Sequence, residues 1–307
     1  MAIKYLNLVF TVGEKGAEKV IKKNADQNRR SVMIPPQVRE ILEEMRTERI
    51  RGASWLAKKG TEAYLLLSEL LEGEDLKRAL TEMQREVPAV NPTMASLYNL
   101  SRFIPITSSP ELVRARALEF LKLIDEARRE IGNIGSELID DGDTIITHSF
   151  SSAVLEVLRS AKKKGKKFRV ILTESSPDYE GIALANELDS LGIPHEVITD
   201  AQIGLFAKKA TLALVGADNV TRDGAVLNKA GTYPLALVCY DSDVPFYVAA
   251  ESFKFHPKLN AEEVEITERP YSRQGHRVRN YLFDVTPWKY IRGIITELGI
   301  LVPPKEI

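Results

Sequence analysis

The stretch "ITHSFSSAVLEVL", Ile146–Leu158, decides the fold. Its first residues are apolar and β-branched, and its later ones place apolar side chains at helical spacing, so a buried strand runs into a helix. At the joint stand His148, Ser149, Ser151 and Ser152. In a parallel α/β sheet such a joint lies at the carboxyl end of a strand, where ligand crevices open. These four side chains could do chemistry, hold a ligand or cap the helix.

Downstream the unit of strand, polar joint and helix recurs. Strands are expected at "TIITHS", "FRVILTES", "HEVITD", "LALVGAD" and "PFYVAAE", apolar on both faces as strands covered from two sides should be. Helices are expected at "SSAVLEVLRSAKKK", "DYEGIALANELDSL", "AQIGLFAKK" and "NKAGTYPLALVCY". This alternation predicts right-handed crossovers and a mainly parallel, Rossmann-like sheet over residues 139–307. Upstream the period changes. From residue 36 to 138 apolar residues recur every three or four positions, as in "VREILEEMRTERI", which predicts a helical domain. Ser108 or Ser109 is placed to cap a helix opened by Pro110. Residues 1–35 fit neither half and read as a loosely attached extension. The fold class is α/β, with a helical domain first and a Rossmann-like domain after it.

The 307 residues suffice for about two domains. Forty-two Lys and Arg against 43 Asp and Glu leave no basic excess, so direct nucleic-acid binding is not expected. One cysteine excludes a disulfide framework and points to a reducing, cytoplasmic setting. No apolar run approaches the roughly 18 residues needed to span a membrane, and the N-terminus lacks a secretory pattern.

The carboxyl ends of the expected strands collect polar groups. Glu174, Ser175, Ser176 and Asp178 follow the second, Asp200 the third, Asp218 and Asn219 the fourth, and Glu251 with Lys254 the fifth. Asn228 and Lys229 are read as opening the next helix, whose N-terminal N–H groups would suit an anion such as phosphate. Each position has a plainer reading. Ser151 or Ser152 serves equally as a helix cap. Asp200 reads as a cap, Asp178 as turn chemistry, His148 as a satisfied buried histidine, and "AKKKGKKFR" as a solvated helix end. Cys239 reads as a packed core thiol. Four histidines without a partner at ligand spacing argue against structural zinc, so no metal is expected. Neither a Walker loop, a GxGxxG turn nor a GxSxG elbow is present, and no cofactor is expected.

Several segments together carry a resemblance: "RGASWLA" at 51–57, "NPTMASLYNL" at 91–100, "TESSPDYEG" at 173–181, "VGADNVTRDGAVLNKAGTYPLAL" at 215–237, "PFYVAAESFKFHP" at 245–257 and "FDVTPWKYIRGIITELGI" at 283–300. They resemble the superfamily of the alpha, beta and delta regulatory subunits of translation initiation factor 2B, nearest its archaeal homologues. Methylthioribose-1-phosphate and ribose-1,5-bisphosphate isomerases share that superfamily. The resemblance implies a homo-oligomer, at least a dimer through the α/β domain, and the alpha subunit of initiation factor 2 as partner. It also implies a pocket for a small phosphorylated ligand, with Arg51, Gly52, Ser151, Asn228, Lys229 and Lys254 as contacts.

The isomerases of this superfamily use a cysteine at the end of the first strand, with an aspartate on the fourth. Asp218 keeps the aspartate, and Ser149 stands at the cysteine position. Where the isomerases carry Arg-Pro-Thr, this chain has Asn91-Pro92-Thr93. The expected function is therefore a regulatory protein with a sugar- or nucleotide-phosphate pocket. The alternative is an aldose-1-phosphate isomerase, with Asp218 and a partner such as Ser149 or His148 as its catalytic pair. An empty scaffold is a third reading.

Overall fold

The computed structural model describes residues 34–48 and 51–302. The expectation for the first 35 residues therefore lies outside the described residues, apart from Ile34 and Pro35. Helices come first: α1 (Pro36–Thr47), α2 (Ala53–Leu70), α3 (Gly73–Val90), α4 (Ala95–Phe103) and α5 (Pro110–Ser136). Proline opens α1 and α5, where its missing N–H leaves no hydrogen bond unmade. At α5 the Ser109 hydroxyl accepts the Leu112 N–H at 3.3 Å, the cap foreseen from sequence. Along α5, Val113, Ala117, Phe120, Ile124, Ala127 and Ile131 form one buried stripe. Most of that stripe joins a core with Tyr64 and Leu67 of α2.

The α/β part alternates β1 (Thr144–Thr147), α6 (Ser152–Lys163), β2 (Arg169–Thr173), α7 (Glu180–Ser190) and β3 (His195–Ile198). After α8 (Ile203–Phe206) come β4 (Leu212–Val215), β5 (Asn219–Val220), β6 (Val226–Lys229), α9 (Thr232–Asp241) and β7 (Phe246–Ala249). The chain ends in β8 (Tyr271–Arg273), β9 (His276–Val278), β10 (Phe283–Thr286), β11 (Gly293–Thr296) and β12 (Gly299–Leu301). Seven strands form the main sheet in the order β12-β11-β7-β4-β1-β2-β3, parallel throughout except for edge strand β12. Successive residues of a strand enter different cores. Ile145, Val170 and Leu212 pack on one face, while Ile146, Ile171 and Ala213 pack on the other. That two-sided burial explains why these strands read as continuous apolar runs.

The structure departs from the sequence reading at three places. Asn228 and Lys229 do not open a helix. They end β6, which pairs antiparallel with β5 and β10 in a separate three-stranded sheet, and α9 begins only at Thr232. The Asp223-Gly224 turn, closed by Thr221 N–H on Ala225 C=O at 2.9 Å, folds β5 onto β6 and uses the residues read as helix. The "AQIGLFAKK" segment forms α8 flanked by two 3₁₀ turns instead of one helix. The basic run after α6 is not simply solvated. The ammoniums of Lys164 and Lys166 reach the last carbonyls of α5 at Asn133 and Ser136 and so cap it. Cys239 is fully buried, and burial pushes its thiol up to about 12. No helix among the described residues is long and apolar enough to cross a membrane.

Candidate functional site

A cavity of about 540 Å³ opens where the carboxyl ends of β1 and β4 face the start of α2 and the loop after α3. That volume suits a small-molecule ligand. Buried amides tie the two parts together. The Asn99 amide donates to the Phe253 and Phe255 carbonyls at 2.8 and 2.9 Å, and the Asn219 amide donates to the Thr93 carbonyl at 3.0 Å. Arg51, Gly52, Ser149, Ser151, Asp218, Asn228, Lys229 and Lys254 all line this one cavity, although they come from both halves of the chain.

Ser149 leaves β1 in the left-handed region, φ 66°, which turns its side chain into the crevice. Its N–H donates to Ser175 Oγ at 2.8 Å, and its hydroxyl donates to the Glu180 carboxylate. Glu180 in turn meets the Lys229 ammonium at 3.0 Å, and Lys229 also meets Asp178 at 3.0 Å. Burial raises the Glu180 pKa, and the Lys229 charge works against that rise. Burial disfavours the Lys229 charge, but Glu180 and Asp178 outweigh it and its pKa ends raised. Lys254 is likewise paired, 2.8 Å from Glu251, which also accepts the Ser54 hydroxyl at 2.8 Å. Burial opposes the Glu251 charge, yet Lys254 and these donors hold its pKa below the usual carboxylate value. Asp178, read from sequence as turn chemistry, thus pairs with a lysine that lines the cavity.

Asp218 stands in the wall between these pairs. Burial pushes its pKa up to about 6, against the pull of Lys254. Ser151 both caps α6, accepting the Val154 N–H at 3.4 Å, and lines the cavity. The Asn228 amide donates to Thr232 Oγ1 at 3.0 Å.

Other strand-end residues are structural. His148 is buried under Gly231, which takes φ 115° and lies so close that a Cβ would stand 2.7 Å from the imidazole. His148 Nε2 lies 2.9 Å from the Ala230 carbonyl, which can only accept, so Nε2 carries the proton. Nδ1 then accepts from Thr173 Oγ1 at 2.6 Å, and burial lowers the imidazole pKa. Asp200 accepts the N–H groups of Ser175 and Ser176 at 2.9 and 2.7 Å, shaping the loop that carries Asp178. The N-terminus of α9, expected to receive an anion, is filled from within. Asp284 accepts the Gly231 and Tyr233 N–H groups there, and burial pushes its pKa up to about 6.

Sequence reasoning missed Glu180 and the rim cations Lys58, Arg128 and Arg269. Glu180 follows β2 two residues after Asp178, so the strand-end rule could have found it. Lys58 and Arg128 lie on α2 and α5, helices whose periodicity advertises only packing. Among the described residues, no cluster of His, Cys, Asp and Glu has the makings of a metal site.

Residues 49–303 match the family model described as the initiation factor 2 subunit family. The chain belongs to that family. A translation initiation factor eIF-2B subunit 2-like protein from Pyrococcus abyssi is 64% identical over 275 residues, which cover 90% of this chain and 100% of the relative. The crystal structure of the Pyrococcus horikoshii OT3 translation initiation factor eIF-2B aligns with a TM-score of 0.87 and 61% identity, covering 88% of this chain and 98% of that one. A ribose 1,5-bisphosphate isomerase from Archaeoglobus fulgidus is 35% identical over 282 residues, 87% of this chain and 90% of the relative. Relatives of this initiation factor 2 subunit family member thus carry both translation-factor and isomerase names.

A stability test isolates Asp218. Its folded pKa lies above the ordinary 3.8, so it favours the fold below that value and opposes it as pH rises through about 6. Asp218→Asn removes the opposing charge. The variant is expected to gain about 3 kcal/mol over wild type at pH 8 and little at pH 4. Urea denaturation at the two pH values checks this, and an equal effect at both would refute the buried-charge account.

Proposed function

We propose that this chain is a regulatory, non-catalytic member of the family whose crevice binds a phosphorylated sugar or nucleotide. The observation that carries the reading is Ser149. At the position where the resemblance puts a thiol, the hydroxyl already donates to Glu180, whose charge Lys229 holds. A thiol with a pKa near 8.5 can exchange a proton at neutral pH, whereas an aliphatic hydroxyl lies far above that range. At the Arg-Pro-Thr position, Asn91 turns back to accept from Thr93 Oγ1 at 2.5 Å and supplies no guanidinium. Arg51, Gly52, Ser151, Asn228, Lys229 and Lys254 are the proposed contacts, with residues 36–138 and 139–307 as two domains. On the same family reading the protein self-associates through the α/β part and binds the alpha subunit of initiation factor 2 in the cytoplasm.

One feature favours a second reading, isomerisation of an aldose 1-phosphate. A carboxyl pushed to about 6, as Asp218 is, suits proton transfer near neutral pH. Calorimetry against sugar and nucleoside phosphates, with turnover assays on ribose 1,5-bisphosphate and methylthioribose 1-phosphate, separates the two. Binding below millimolar concentration without turnover is expected. Efficient turnover that Asp218→Asn abolishes would establish the isomerase reading instead, and no binding at all would leave the pocket without a ligand.

A further inference from the structure

Strands β8 and β9 form a two-stranded sheet of their own, apart from the main sheet. Gln274 and Gly275 join them with φ of 50° and 82°, the pair of positive values that a tight hairpin turn requires. Every residue from Ser272 to Arg277 is exposed. Residues 268–279 carry four arginines, Arg269, Arg273, Arg277 and Arg279, against one acid, Glu268. The net charge of −1 for the whole chain hides this local excess.

Strand register sorts these cations by face. Tyr271 pairs with Val278, Ser272 with Arg277 and Arg273 with His276, and the same register reaches Glu268 and Tyr281. Paired residues share a face, as do alternate residues along a strand. One face therefore holds Arg269, Tyr271, Arg273, His276, Val278 and Asn280, with no carboxylate among them. The other is partly neutralised from within: Glu268 meets Arg279 at 2.9 Å, and the Arg279 guanidinium lies over the Tyr281 ring. On the first face Arg273 and His276, at the tip, make no side-chain hydrogen bond or ion pair with any described residue. Arg269, at the base, lines the crevice. Four residues of strand, about 13 Å, separate Arg269 from Arg273, and Tyr271 stands between them.

We propose that the face of the β8–β9 hairpin bearing Arg269, Tyr271 and Arg273 binds single-stranded RNA. Guanidinium forks grip phosphate oxygens bidentately, and an aromatic ring between them takes a base by stacking. An acidic peptide offers carboxylates to the arginines but no flat base for Tyr271. A 2′-hydroxyl gives His276 and Asn280, the polar residues opposite the two arginines, a group to bond that DNA lacks. RNA binding goes beyond the small-ligand reading and is separable from it, because Arg273 lies outside the crevice lining.

Fluorescence anisotropy on the whole chain, with a labelled mixed-sequence RNA of about twelve nucleotides, tests the proposal. Two phosphate contacts should make binding weaken about sevenfold between roughly 50 and 200 mM salt. Arg273→Ala and Tyr271→Ala should each weaken binding about fivefold or more, while Tyr271→Phe keeps the wild-type affinity and shows that the ring, and not a folding defect, is responsible. Arg277→Ala, on the opposite face, should change it less than about twofold. DNA of the same sequence and polyglutamate should both bind more weakly than the RNA. No RNA binding at tens of micromolar in low salt would overturn the proposal. So would equal losses from Arg273→Ala and Arg277→Ala, a Tyr271→Ala variant that binds like wild type, or DNA or polyglutamate binding as tightly as RNA.

Discussion

Lys229→Met is expected to lower the melting temperature by roughly 6–12 °C. Lys229 is 6% exposed and lies 3.0 Å from both Asp178 and Glu180. Removing one side of a buried ion pair costs about 3 kcal/mol or more, because the remaining charge stays out of water without a partner. For a chain of this size that corresponds to about 2–4 °C per kcal/mol. Asp178 is partly solvated, which places the effect at the lower end of the energy range. Two further measurements isolate the cause. Lys229→Met combined with Glu180→Gln should recover part of the loss, since the stranded carboxylate is gone. The single variant should also lose less at pH 5 than at pH 8, because burial raises the pKa of Glu180 and the loss of Lys229 removes the charge that opposed that rise. Differential scanning calorimetry at a fixed scan rate provides these comparisons. A shift under 2 °C would mean that water, and not Lys229, compensates these carboxylates.

Gly181→Ala is expected to be at least as damaging. A Cβ at Gly181 would stand 1.8 Å from the Thr173 carbonyl oxygen and 2.9 Å from its carbon. Both are backbone atoms of β2, so no side chain can swing away. Helix α7 would have to lift off the sheet, and overpacking of that kind costs about 3 kcal/mol or more. Because α7 begins with Glu180, the same displacement would draw that carboxylate away from Ser149 and Lys229 and weaken ligand binding. Gly204→Ala is the control. It lies in α8 with no atom within 4 Å of the added Cβ, so it should be neutral or slightly stabilising. Urea midpoints for the pair, with calorimetry on the folded fraction, check both statements. Similar midpoints for the two variants would show that α7 does not depend on this close approach.

Gly181 also shows the boundary between local and tertiary information. In the sequence it is one glycine after "DYE", and nothing around it announces a helix pressed onto a carbonyl. The parallel sheet was legible because a strand covered on both faces must be apolar at every position, and Ile145–Ile146 and Val170–Ile171–Leu172 are. The cap at Ser109 was legible because it involves residues three apart. The polar strand ends were legible too, and eight residues chosen from them and from the family motifs do line one cavity. The β5–β6–β10 sheet was not, since β10 lies more than fifty residues beyond β6 and short strands carry little period of their own. Nor could the sequence reveal that Lys229 is held by Asp178 and Glu180, or that Asp284 fills the N-terminus of α9. The sequence alone determined the order and type of most elements and the chemical groups at the strand ends, because period, turn residues and caps act over a few positions. Only the tertiary structure decided which charges are paired, how deep they lie and which remain for a ligand, because those depend on distances between segments far apart in the chain.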